Sequence, residues 1–377
     1  MDIKGVGSKM TKRIAIVGAG NAGCITALHY NKYLKKIDND YEISIYHSPI
    51  QHPMERVGQG TLIEITALIS EELGINWYNN TIDATFKTAF MYEGWGKKQY
   101  NIFAPFKDMA GLAIHFVPQK LSKAVLESGY FNVNDKTIVD PEKEIDADVI
   151  FDCRGRNNRD KSNYSTLTNP VNSVLLCDKS GRDPDLIYTR CVATKNGWTF
   201  IIPNKDSVSY GYLYNDMITS KEDAKNDFLN GFDLPEVDGE LQFENYVAKN
   251  MFVGERTILQ GNRCGFVEPM ESTSLSFYLG VCELAWDAIF NIEDLETLNN
   301  KMRKSMKEIE TFILWHYQFG SKYDTPFWDY AKSLPFNPDE HFQKMIHEYE
   351  DDRDNLHFYG QWTPFSFKDW GKGVGLL

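Results

Sequence analysis

The stretch IAIVGAGNAGCITALHYNKYLKK, residues 14–36, decides the fold. The apolar run 14–17 leads straight into GAGNAG, and apolar positions then recur at helical spacing at Ala27, Tyr30, Leu34 and Ile37. Asp38-Asn39-Asp40 is a polar turn signal, and YEISIYH, residues 41–47, alternates like a strand. Strand, glycine turn, helix, strand is the opening of a doubly wound α/β fold. Gly18, Gly20 and Gly23 complete a GxGxxG pattern. The first glycine allows the tight turn, the second lets backbone approach a pyrophosphate, and the third lets helix close on strand. The helix start then offers free N–H groups to phosphate. Gly18, Ala19, Gly20, Asn21, Ala22 and Gly23 are therefore candidate dinucleotide contacts. An acid ordinarily ends the second strand, about 20 residues on, and binds ribose hydroxyls. His47 stands there instead. Either its neutral imidazole bonds the ribose, or ribose recognition is weaker or absent.

Working outward, 377 residues suit two domains or one large one with an appendage. The net charge of −13 argues against a nucleic-acid surface, which needs a basic stripe. No apolar run approaches the ~18 residues of a membrane span. MDIKGVGSKMTKR has no apolar segment of signal-peptide type and reads as a flexible tail, residues 1–10. The six cysteines form no CxxC pair, and the histidines show no metal-ligand spacing, so no metal is expected. The cysteines read as small buried hydrophobes of a reducing, cytoplasmic protein.

Residues 62–73 read as a helix closed by Gly74, and 118–127 as a helix with Pro118 in its first turn. Residues 148–153 read as a buried strand. Residues 84–92 read as one strand, with Phe86, Phe90 and Tyr92 on one face and Lys87, Ala89 and Met91 on the other. Ser272, Thr273 and Ser274 read as the cap of a helix, whose free N–H groups can hold an anion. His115 and His316 read as satisfied core histidines. An α/β body over residues 11–285 is expected, with a β-rich insertion at about 173–250 and a helical, aromatic-rich part over 286–377.

Several separated stretches, in order, resemble the flavin-dependent halogenases of the tryptophan halogenase type. They are GAGNAG; HSPIQHPMERVGQGT (47–61); ATFKTAFMYEGW (84–95); FDCRG (151–155); GWTFIIP (197–203); GFVEPMESTSL (265–275); and HYQFGSKYDTPFW (316–328). The resemblance implies a Rossmann-like FAD-binding fold of the flavin monooxygenase/halogenase type, with a β-rich substrate part and a helical C-terminal part. It places Gly58, Gln59, Gly60 and Thr61 on a strap between the flavin and substrate sites, and adds His47 and Leu275 to the FAD contacts. Three positions depart from the family pattern: His47 and Gln59 replace acids, and Phe200 replaces a tryptophan. The chain is also shorter than typical members, chiefly in the C-terminal part.

What the resemblance further implies is a two-site reaction. Reduced FAD from a separate flavin reductase, dioxygen and chloride or bromide give hypohalous acid, which travels to the substrate. Lys87 would receive it, Glu271 would take the proton lost by the ring, and the amides of Thr273 and Ser274 would hold the halide. Burial of Lys87 would favour its free base. Trp198 and Phe200, with Trp328 and Trp362, are substrate-side candidates. The implied substrate is a small, electron-rich aromatic, indole- or phenol-like, and a homodimer is compatible with the resemblance. Two other readings stay open: a flavin monooxygenase that oxygenates its substrate directly, and a flavin-fold protein that binds without catalysis.

Overall fold

The structure is a computed structural model that describes residues 12–37, 40–48, 57–76, 78–97, 101–106, 112–348 and 358–377. The expected tail and residues 49–56 of the strap lie outside the described residues.

The glycine turn sits at the centre of a six-stranded sheet. Its order is Phe252–Val253, Thr257–Leu259, Val149–Asp152, Lys12–Val17, Tyr41–His47, Asn132–Asp135. The five strands from Thr257–Leu259 to Asn132–Asp135 run parallel, as the opening motif requires. Ile14 and Ile16 face the main core, while Ala15 and Val17 pack with Ile138, Ile145 and Ile150 on the opposite face. Burial on both faces explains why the strand reads as an unbroken apolar run. Helix Asn21–Leu34 lies against the sheet. A Cβ on Gly23 would stand 1.9 Å from the Gly18 carbonyl oxygen, so only glycine lets this turn close. Tyr30 Oη then ties the helix to Thr273–Ile289 by donating to the Cys282 carbonyl at 3.0 Å.

A seven-stranded sheet holds the β-rich part, in the order Gly239–Gln242, Ser173–Ser180, Ser207–Tyr214, Gly197–Pro203, Thr189–Thr194, Ala89–Glu93, Ile102–Pro105. Thr189–Thr194 and Gly197–Pro203 form a hairpin over the polar turn at Lys195-Asn196. The helix closed by Gly74 is present as Ile63–Leu73, with Gly74 at φ 62°.

The single strand expected over 84–92 is instead two strands in two sheets. Thr85–Lys87 pairs with Ala113–Phe116 in a small sheet that also holds Gln59–Gly60, whereas Ala89–Glu93 belongs to the seven-stranded sheet. Thr88 is the break: its amide and its hydroxyl both donate to the Ile187 carbonyl, at 2.8 and 3.0 Å. A period-two reading assumes an unbroken strand, and one break resets which side chains turn inward. Phe86 is therefore 38% exposed while Lys87, Phe90 and Tyr92 are all buried.

The C-terminal part is helical. The 24-residue helix Leu295–Gln318 is capped by Asp294 and followed by Pro326–Ser333, Glu340–His347 and Pro364–Val374. Trp95, in the loop after Ala89–Glu93, joins the layers. Its ring meets those of Trp198, Tyr317, Trp328 and Trp370 at 5.3–6.4 Å.

Candidate active site

A cavity of about 930 Å³ opens over the glycine turn. Gly18, Ala19, Gly20, Asn21 and Ala22 line it, as do His47 at the end of its strand and Gly58, Gln59 and Gly60. Gly23 does not; it is spent on closing the turn. A Cβ on Gly20 would meet nothing within 4 Å, so the backbone there is open to a ligand. Helix Asn21–Leu34 has no side-chain cap and no acid in its first turn. The buried Asn21 Oδ1 has no hydrogen-bond partner. An uncapped helix start and an open glycine on one cavity wall fit a dinucleotide pyrophosphate. Among the described residues Gly18 to Ala22 would hold FAD, with His47 at the ribose position.

The opposite wall carries Trp198, Phe200, Glu271, Ser272, Ser274 and Leu275. The Phe200 ring lies across Gly211 of the paired strand, where a Cβ would stand 2.0 Å from it. Trp198 Nε1 donates to Glu268 Oε2 at 2.8 Å.

Lys87 does not line this cavity. It lies against Gly60 and Thr61 of the strap, fully buried, and the packed groups around its amine form the Lys87 chamber. Its Nζ donates to the Thr61 carbonyl at 2.8 Å and to Ser272 Oγ at 2.9 Å, and sits 4.1 Å from the Phe90 ring centroid. Gly60 makes room, since a Cβ there would stand 3.0 Å from both Lys87 Nζ and Ser272 Oγ. Burial pushes the amine down to about 7, against the opposing pull of Glu271, Cys191 and Glu64. Burial thus favours the uncharged amine far more than at an exposed lysine.

Glu271 and Ser272 link the cavity wall to His316 and Lys87. Both line the cavity, and both take left-handed backbone angles, at φ 66° and φ 54°. Such angles cost a non-glycine residue roughly 1–3 kcal/mol each and persist only where surroundings impose them. Ser272 stands at the N-cap of Thr273–Ile289 but makes no side-chain cap bond, contrary to the cap reading; its hydroxyl serves Lys87. Glu271 Oε1 lies 3.2 Å from His316 Nε2, and Oε2 accepts from Trp362 Nε1 at 3.1 Å. Thr273 is buried with Oγ1 unpartnered, whereas Ser274 and Leu275 face the cavity. Trp328 and Trp362 do not line the cavity; Trp328 Nε1 donates to the Thr194 carbonyl at 2.8 Å.

His115 is a satisfied core histidine, bonded to the Phe86 carbonyl at 3.1 Å and to Thr189 Oγ1 at 2.8 Å. His316 is more than that, because it reaches Glu271. Its neighbour Tyr317 reaches a second buried acid, Glu268, at 2.8 Å. Glu268 also accepts from Asn169 Nδ2 at 2.8 Å, and burial pushes its carboxyl up to about 7 against these bonds. Sequence reasoning passed over Glu268 and treated His316 as core. The signal was there: an adjacent His-Tyr pair in one quoted motif and two acids three residues apart in another.

The sequence profile of the tryptophan halogenase family matches residues 13–124 and 114–371, nearly the whole chain. The chain belongs to this family. It is 29% identical over 164 residues to tryptophan 7-halogenase RebH of Lentzea aerocolonigenes, covering 42% of the chain and 30% of that protein. It is 24% identical over 267 residues to tryptophan 7-halogenase KtzQ of Kutzneria sp. (strain 744), covering 61% and 49%. The chain thus spans between about a third and a half of the length of these curated relatives. Among solved structures, BrvH, a flavin-dependent halogenase from Brevundimonas sp. BAL3, superposes with a TM-score of 0.76 at 17% identity, covering 98% of this chain and 91% of that one. MibH, a lanthipeptide tryptophan 5-halogenase, gives 0.80 at 15%, covering 99% and 87%. These likenesses establish the halogenase fold. Among the described residues no helix is long and apolar enough to cross a membrane.

Proposed function

We propose that this protein is a flavin-dependent halogenase of a small electron-rich aromatic, with Lys87 and Glu271 as its catalytic residues. The observation that carries the reading is the 271–272 turn. One side of it faces the dinucleotide cavity, while its hydroxyl bonds a fully buried amine whose pKa burial lowers. Direct oxygen transfer at a flavin needs no such amine.

FAD, reduced by a separate flavin reductase, supplies the activation of dioxygen from which hypohalous acid arises. The protein's own groups do the rest. The start of helix Thr273–Ile289 presents free amides at Thr273 and Ser274, which hold chloride or bromide. The strap residues Gly58 to Gly60, with Trp198 and Phe200, keep the aromatic substrate off the flavin. Lys87 engages the hypohalous acid, as free base forming a haloamine or as ammonium donating a hydrogen bond. Glu271, fixed at both oxygens, accepts the ring proton and stabilises the cationic ring. The helical part over 286–377 covers the substrate. Trp362 supports that placement, since its ring stacks on Phe312 at 4.0 Å and 16° while its N–H holds Glu271.

The test is an assay with chemically reduced FAD, oxygen, bromide and a panel of indoles and phenols. The expected result is brominated product. Oxygenated product without brominated product would make the protein a monooxygenase, and protein that shows no FAD shift on titration would make it a non-catalytic binder.

A further inference from the structure

Among the described residues, five lysine and arginine side chains line the cavity: Lys120, Lys123, Lys136, Arg154 and Arg156. Four of them are ion-paired. Lys120 meets Asp83 at 3.2 Å, Lys123 meets Glu127 at 3.9 Å, Lys136 meets Glu144 at 3.6 Å and Arg154 meets Asp152 at 2.7 Å. Arg156 is the exception: no described residue pairs with its charge or accepts a hydrogen bond from its side chain. It is half-buried, and its guanidinium carbon lies 5.4 Å from the Phe266 ring centroid. Burial above all, and the Arg159 guanidinium as well, work against its charge, and no carboxylate is among the groups acting on it. A planar fork of N–H donors is thus left unmatched at the cavity wall.

The backbone that carries this fork is held in place. Arg159 donates to the Arg156 carbonyl at 3.2 Å and to Glu244 at 2.7 Å. Arg263 donates to the carbonyls of Asn157 and Asn158, the latter at 3.2 Å, and to Asp152 at 3.1 Å. Two matched arginines therefore fix the segment that presents the unmatched one. This segment adjoins the glycine turn, since a Cβ on Gly18 would stand 2.8 Å from the Cys153 carbonyl oxygen. On the other side, a Cβ on Gly261 would stand 2.3 Å from the Ala22 Cβ, and the next residue, Asn262, accepts from Tyr278 Oη at 2.6 Å. Asn262 and Tyr278 line the cavity together with Arg156, so the guanidinium and the helix start share one wall.

We propose that Arg156 binds the diphosphate of the dinucleotide and supplies the full positive charge that the glycine turn lacks. The assignment rests on the FAD reading of this cavity and does not depend on halogenation. A helix start offers only about half a positive charge, spread over its amides, and a diphosphate carries more negative charge than that. The other cations on the wall are already committed to acids. A guanidinium fits the role because its fork bonds two phosphate oxygens at once, which an ammonium does not.

The test compares ligands that share parts of FAD. Binding of FAD, ADP and riboflavin is measured by calorimetry at one fixed ionic strength. Arg156→Met keeps an unbranched apolar stem beside Phe266 and removes the charge. It should bind FAD and ADP roughly ten- to a hundredfold more weakly, and riboflavin, which has no phosphate, as wild type does. Arg156→Lys, which keeps the charge without the fork, should fall between the two. Unchanged affinity for FAD and ADP overturns the assignment, and so does an equal loss for riboflavin, which would make Arg156 a flavin-ring contact or a structural residue. Should the variants fail to fold, arginine modification of the wild type by phenylglyoxal decides, read by peptide mass. ADP should slow the reaction at Arg156 and riboflavin should not; no protection by ADP overturns the assignment. Wild type that binds neither FAD nor ADP overturns the FAD reading and this assignment together, whereas wild type that binds both without engaging Arg156 overturns the assignment alone.

Discussion

The two halves of the site are built on opposite terms. The cavity over the glycine turn is open, with an uncapped helix start and a glycine whose backbone no protein atom covers. The surroundings of Lys87 are closed, and its amine and Glu271 are matched: amine to carbonyl and hydroxyl, carboxylate to imidazole and indole. A cradle leaves donors unpaired because the ligand completes them. A buried reactive group is itself paired in advance, so that its charge state is set by burial and neighbours rather than by water. The 271–272 turn separates the two, and its left-handed backbone angles lie where they meet.

That contrast can be broken from either side. The largest effect is expected in the chamber. Lys87→Met should lower product formation at least roughly a thousandfold while flavin oxidation continues, measured as product against oxygen consumed. Normal product would remove the lysine from the chemistry. Next is Glu268, whose carboxyl is raised to about 7 by burial. A carboxyl raised on folding contributes stability that is full below its unfolded pKa, near 4.5, and is lost as pH rises through 7. Between pH 4.5 and 8 wild type should lose roughly 3 kcal/mol relative to Glu268→Gln, read by urea unfolding at both ends. A constant difference would mean that Glu268 titrates normally.

Smaller effects test the seam and the cradle. Ser272→Gly should cost about tenfold in turnover with little loss of stability, because glycine relieves the φ of 54° while the bond to Lys87 disappears. A large fall in melting temperature would show that the hydroxyl is structural. In the cradle, Gly20→Ala meets no protein atom within 4 Å and should fold as wild type, yet bind FAD a few-fold to about tenfold more weakly. Unchanged FAD affinity would place the pyrophosphate elsewhere.

The cradle was the legible half. A strand, three glycines and a helix lie within 36 residues, and local periodicity with turn chemistry specifies them. The parallel sheet and the Gly74 cap followed the same local rules. The chamber was legible only through resemblance, because its groups come from residues 61, 87, 271, 272, 316 and 362 and meet only in the folded chain. Local rules misled where tertiary contacts overrode them. Thr88 left the ladder for Ile187 and turned Phe86 outward, and Ser272 gave up its capping role for a lysine 185 residues away. His316 looked like core because a histidine on an apolar helix face usually is; nothing local shows that its outer nitrogen reaches a carboxylate.

The central claim is that a buried amine receives the halogen before the substrate does. The direct measurement is a single turnover with pre-reduced FAD, oxygen and bromide but no aromatic, followed by rapid gel filtration and titration of protein-bound oxidising equivalents with a thioether. The account predicts up to one equivalent retained by the wild type and none by Lys87→Met. Equal retention by both proteins would contradict it.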